Sequence, residues 1–199
     1  IMYNAMLQKV GGDLYVGIMT VINSVREVIS MPVSGVTNSA QPVLGFNYGA
    51  KEYKRVRQGI VFTSICSVVY TTLIWLCVHE FPEFFIRIFN RNGDLLAEGV
   101  PAMRIYFFGF FMMSLQFAGQ AVFVGLGKSR YAVFFSIFRK VIIVIPLILI
   151  LPTVFHLGTD GILMAEPVSN FIGGAACFGT MLFTVWPELK GKKKAVNDK

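Results

Sequence analysis

Three stretches of this chain, residues 60–78, 105–126 and 167–186, carry no charged side chain over nineteen, twenty-two and twenty residues. A helix rising 1.5 Å per residue needs about 18–20 residues to cross roughly 30 Å of hydrocarbon. Each stretch clears that length. Only 15% of the 199 residues are charged, against about 25% in a soluble domain. The apolar excess is gathered into runs, which points to a bilayer rather than to one large soluble core. The expected fold class is therefore all-α, a polytopic membrane bundle of about five transmembrane helices. Spans are expected over about 13–46, 56–78, 102–126, 130–155 and 161–186.

The first of these is unlike the others. Residues 28–46, VISMPVSGVTNSAQPVLGF, contain no charge yet hold two prolines, two glycines and six Ser, Thr, Asn or Gln residues. Loosened, polar helix is tolerated in a membrane only where protein or water satisfies it, and it marks binding sites in transporters. At about thirty-four residues, this span would also reach roughly 50 Å if straight. It must tilt, protrude or bend, with Pro32 and Pro42 as bend candidates and Pro167 as the counterpart in the fifth span.

Charge placement argues against nucleic acid as a partner despite a net charge of +7. The bases fall between hydrophobic runs: Lys51, Lys54, Arg55 and Arg57, then Lys128 and Arg130, then the 190–199 tail. Cytoplasmic loops collect Lys and Arg in this way, so the reading is a multi-pass cell-membrane protein with a cytoplasmic C-terminus. Residues 1–12 read as the end of a helix and an outer loop, so a fragment of a longer protein is expected. Glu83, Arg87 and Arg91 recur at i, i+4 opposite Phe84, Phe85, Ile88 and Phe89. That pattern suits an interfacial helix over 83–90, followed by a turn at Asn92, Gly93 and Asp94. Three cysteines inside hydrophobic runs read as small core residues.

Intramembrane charges are functional hypotheses by default. Arg26 and Glu27 lie near the middle of the first span, pointing about 100° apart, so each needs another partner in water or on another helix. Glu166, beside Pro167, is the candidate partner for Arg26 or for a transported cation. Its plainer reading is an acid at the outer helix end. Arg139 and Lys140 are expected to snorkel to the cytoplasmic surface. Gln116 and Gln120, four apart, would line a cavity or bond a neighbouring helix, and Gln41 and Asn170 are further polar positions within spans. The small residues around Gly173, Gly174 and Gly179 mark close helix packing. Enzyme motifs fail: Gly127-Lys128-Ser129 lacks the upstream glycine of a phosphate loop, and His79-Glu80 lacks the second histidine of a zinc helix. No catalytic residue and no metal site is expected.

The run MPVSGVTNSAQPVLGFNYGAKEYKRVRQG resembles the long polar helix and cytoplasmic loop of the second half of MATE multidrug efflux carriers, where a "QP…G(F/Y)NYGAK…RV" signature follows it. GLGKSRYAVFFSIFRKVIIVIPLILILP and GILMAEPVSNFIGG are similar to the last two helices of that half. The resemblance implies one six-helix lobe (here 13–189) of a twelve-helix carrier, with most of its first helix and the whole N-terminal lobe missing. It implies export of drugs and organic cations by alternating access, coupled to Na⁺ or H⁺, with no cofactor beyond that ion. In some members an acid on the helix matching 105–126 contributes to a cation site. Gln116 and Gln120 stand there instead, which shifts expectation to Glu27 and Glu166. The alternatives are a related lipid-linked oligosaccharide flippase, needing a larger and more basic cavity, or a non-transporting membrane scaffold subunit.

Overall fold

The structure is a computed structural model that describes residues 2–90 and 93–197, with side chains over 3–90 and 93–190. The described residues form α1 (Met2–Gly49), α2 (Tyr53–Glu80), α3 (Pro82–Phe89), α4 (Gly93–Phe107) and α5 (Phe110–Gly125). After these come α6 (Ser129–Ile137), a π-helical segment (Phe138–Val144), α7 (Ile145–Thr153) and α8 (Gly158–Asn197). The fold is all-α. Four helical stretches are long and apolar enough to cross a membrane, and the bent pair α4–α5 makes a fifth.

Local chemistry explains the breaks. The single non-helical residue inside α1 is Gly12, at φ 71° and ψ −168°, a conformation open mainly to glycine. The chain changes direction there, and Leu7 and Ile18 join the same apolar cluster. Pro32 and Pro42, the bend candidates, both lie within the helical part of α1. Gly127, at φ 73°, ends α5 in a Schellman motif. Its amide bonds the Val124 carbonyl at 3.0 Å, and the Lys128 amide bonds the Phe123 carbonyl at 2.7 Å. The Gly-Lys-Ser sequence is thus a helix stop.

Several expectations need correction. The third span is not one helix over 102–126. It begins at Gly93 and bends by 43° between α4 and α5. The bend sits where a Cβ on Gly109 would lie 3.0 Å from Pro167, so α8 presses directly on the break. Pro167 itself lies within helical α8. Asp94, the expected cap of the next helical stretch, lies in the first turn of α4, while Arg91 and Asn92 lie outside the described residues. In α3 Pro82 and Ile86 are buried, while Phe84 and Ile88 face outward.

The core is split. One cluster gathers Ile18, Ile22, Met103, Phe107, Ile148 and Leu163, and a second gathers Leu44, Ile60, Phe123, Phe135, Met181 and Leu189. The helices that cross both change from one cluster to the other at a polar step. In α5 the step is Ser114 and Gln116, in the α6–α7 span Arg139, and in α8 Glu166, Ser169 and Asn170, all buried. Buried polar groups at one level of three neighbouring spans form a layer across the bundle.

Candidate functional site

The π-helical segment carries Arg139 inward. Pro146, two residues beyond it, lacks the N–H that would bond the Ile142 carbonyl in α geometry, and a wider π turn accommodates that loss. Gly173 makes room: a Cβ there would sit 3.1 Å from the Cγ and Cδ of Arg139. The guanidinium then has three partners on two helices. Nη2 pairs with Glu166 Oε1, Nη1 donates to Gln116 Oε1 at 3.1 Å, and Nε donates to Ser169 Oγ at 3.4 Å. The Ser169 hydroxyl donates in turn to the Glu166 backbone carbonyl at 2.8 Å.

Arg26 of α1 approaches the same carboxylate oxygen, with Nη1 3.8 Å from Glu166 Oε1. Its side chain is 35% exposed, against 10% for Arg139 and 8% for Glu166. One acid therefore serves two guanidinium groups, one held by three hydrogen-bond partners and one held loosely at the edge of solvent. Tyr3 and the buried Tyr106 lie close enough to interact electrostatically with all three charges. The Tyr3 hydroxyl and the Asn170 Oδ1 are buried without a hydrogen-bond partner among the described residues. A buried polar atom without a partner points to water, an ion or a moving group that completes it in use.

A cleft of about 590 Å³ opens from this layer, lined by Arg26, Glu27, Ser30, Ser34, Asn38 and Lys140 among others. Arg139 lines it as well. The polar stretch of the first span thus fronts open space. Three bases and one acid, Glu27, line the cleft, and Glu166 lies just behind it.

Of the residues singled out in the sequence, Arg26, Gln116 and Glu166 come together in the network, and Glu27 faces the cleft beside them. Asn170 is buried one turn beyond Glu166 on α8. Gln120 does not join. Its Nε2 donates to Ser136 Oγ at 2.8 Å, tying α5 to α6. Gln41 bonds its helical neighbour Asn38, at 3.1 Å. The reading of Arg139 as a snorkelling side chain is overturned, because its charge is spent on Glu166 in the bundle interior. Lys140, the next residue, is exposed. Likewise Glu166 is no interfacial acid but lies in the polar layer between the two cores. Arg139, Ser169 and Tyr106 were missed as site residues, although an arginine inside a span was signal enough to ask for an acidic partner.

The MatE family model matches residues 1–150. No curated protein matches the chain by sequence. Among solved structures, it is similar to an inward-facing multidrug resistance MATE transporter of the MOP superfamily, with TM-score 0.84, 15% identity and 97% of the chain covered. It is similar to an outward-facing form with TM-score 0.87, again at 15% identity and 97% coverage. A MOP superfamily transporter from Pyrococcus furiosus, described as having a binding pocket of reverse polarity, matches at TM-score 0.86, 14% identity and 96% coverage. The chain spans 42–44% of the length of these transporters. It fits the inward- and outward-facing forms almost equally. With three quarters of its length matched by the family model, and this bundle superposing on the transporter fold, the chain belongs to the MatE family.

Proposed function

We propose that the chain is one lobe of a cation-coupled exporter in which Glu166 is the coupling group. The observation that carries this is the sharing of one buried carboxylate oxygen between a fixed Arg139 and a loosely held Arg26. A proton or Na⁺ on Glu166 weakens its hold on both guanidinium groups. Arg139 keeps Gln116 and Ser169 as partners, so Arg26 is the group that swings into the cleft. Cation occupancy and cleft charge are then linked, and a ligand shifts the inward–outward equilibrium only through such differential affinity. The cargo would enter between this lobe and its N-terminal counterpart and would be a small organic cation or other drug.

The test is ethidium efflux from proteoliposomes of the intact protein under an imposed Na⁺ or H⁺ gradient. Glu166→Gln is expected to abolish gradient-driven efflux, and Glu27→Gln to weaken ethidium binding while leaving coupling in place. Full gradient dependence in Glu166→Gln would remove Glu166 from the mechanism. Absence of efflux under both gradients would remove the antiporter reading itself.

A second reading draws on the same cleft. Arg26, Arg139 and Lys140 outnumber Glu27, which favours a cargo bearing an anionic group, as in a lipid-linked oligosaccharide flippase. Competition of ethidium efflux by an anionic but not a cationic amphiphile would favour it.

A further inference from the structure

We propose that the groove between the start of α2 and the end of α8 is a binding site for an anionic glycerophospholipid. It lies apart from the polar layer and does not depend on the transport reading. The groove encloses about 640 Å³ and places Lys54 and Arg57 at one end, Val61, Phe62 and Ile65 along its floor, and Trp186 as its wall. Positions 54, 57, 61 and 65 recur at i, i+3 and i+4 and so share one face of α2. From Arg57 to Ile65 that face runs about 12 Å along the axis. It changes from basic to apolar over this distance, as a bilayer changes from headgroup phosphate to acyl chain.

Two features distinguish this groove from a generic greasy face. The Arg57 guanidinium lies 4.6 Å above the centre of the Trp186 ring, which fixes its planar fork and leaves charge to offer. Stacked arginine suits phosphate oxygens in a way that a free lysine does not. Neither Lys54 nor Arg57 has an acidic partner among the described residues. The nearby acid on α8, Glu188, is instead engaged by Lys128 and by the Tyr48 hydroxyl at 2.8 Å. Meanwhile Phe62 and Ile65 are 69% and 57% exposed. A phosphate at the bases and an acyl chain over Phe62 and Ile65 would satisfy both ends with one molecule. Basic pockets at the cytoplasmic ends of membrane helices recognise anionic headgroups on this principle.

The test is native mass spectrometry of the intact protein extracted from vesicles of equal phosphatidylglycerol and phosphatidylcholine. Retention of phosphatidylglycerol over phosphatidylcholine is expected, with apparent affinity falling about fivefold for each base removed in Lys54→Gln and Arg57→Gln. Arg57→Lys, which keeps the charge but loses the planar stack, should fall between. A control with Lys51→Asn and Arg55→Gln, exposed bases outside the groove, should retain the lipid as before. Unchanged retention in the Lys54→Gln, Arg57→Gln protein would overturn the proposal. So would equal displacement by glycerol phosphate, which would mark a free-anion site. Disulfide capture of Ile65→Cys by the other lobe would overturn it as well, since protein rather than lipid would then cover the groove.

Discussion

Two of the long-range ion pairs among the described residues join a base to an acid in the same way and differ in what they do. In the polar layer, Arg139 and Glu166 meet with side chains 10% and 8% exposed. At the end of α8, Lys128 and Glu188 meet with side chains 27% and 26% exposed. The end pair closes the bundle where water can take over either partner. The central pair has less access to water, and each of the three guanidinium nitrogens of Arg139 has a partner in the protein. Removing one member of a buried pair leaves an uncompensated charge, whereas a surface pair contributes little in the first place. Position in the bundle, not residue type, sets the cost.

The comparison breaks most sharply at Arg139. Arg139→Met in the purified protein should cost about 3–5 kcal/mol of stability, read as a large fall in thermal midpoint, because Glu166 keeps only the distant Arg26. A double substitution, Arg139→Met with Glu166→Met, should recover most of that loss. If it does not, the penalty is not one of stranded charge. Next in size is the packing that brings α5 and α8 together beside the network. A Cβ on Gly174 would overlap the Met112 carbonyl oxygen, so Gly174→Ala should destabilise by about 1–3 kcal/mol. Gly179 has nothing within 4 Å, and there the same change should stabilise the helix by about 0.5–1 kcal/mol. A common sign at both sites, in a urea or thermal melt, would refute the close approach.

Smaller still is the end pair. Lys128→Met should change stability by no more than about 1 kcal/mol, and raising salt should erase the difference. Should it match Arg139→Met, the contrast between the two regions collapses. The smallest effect is expected on α3, where Arg87 and Glu83 pair at 3.3 Å with both side chains about 60% exposed. Glu83→Gln should leave the melting curve unmoved.

Much of the architecture was legible before any coordinates. Long uncharged runs place the spans because an unpaired backbone polar group is too costly in hydrocarbon, and helices are the local remedy. The MATE-like signature in 31–59 was likewise a matter of contiguous residues. The site was legible only in part. Arg26 and Glu166 stood out as charges within spans, but Arg139 was measured by its distance from a helix end and given to the surface. Its burial depends on a π turn ahead of Pro146 and on the bare Cα of Gly173, which lies thirty-four positions away in sequence. Gln116 and Gln120 share a helical face, yet one serves Arg139 and the other Ser136, since the neighbours of α5 differ from one turn to the next.

What the sequence determined alone is the set of apolar spans, the polar face of the first, and the family, because each rests on residues adjacent in the chain. Which charge meets which was decided only by tertiary structure. Desolvation forces every buried charge to find a partner, but that partner is chosen by the three-dimensional packing of α1, α5, α8 and the π turn.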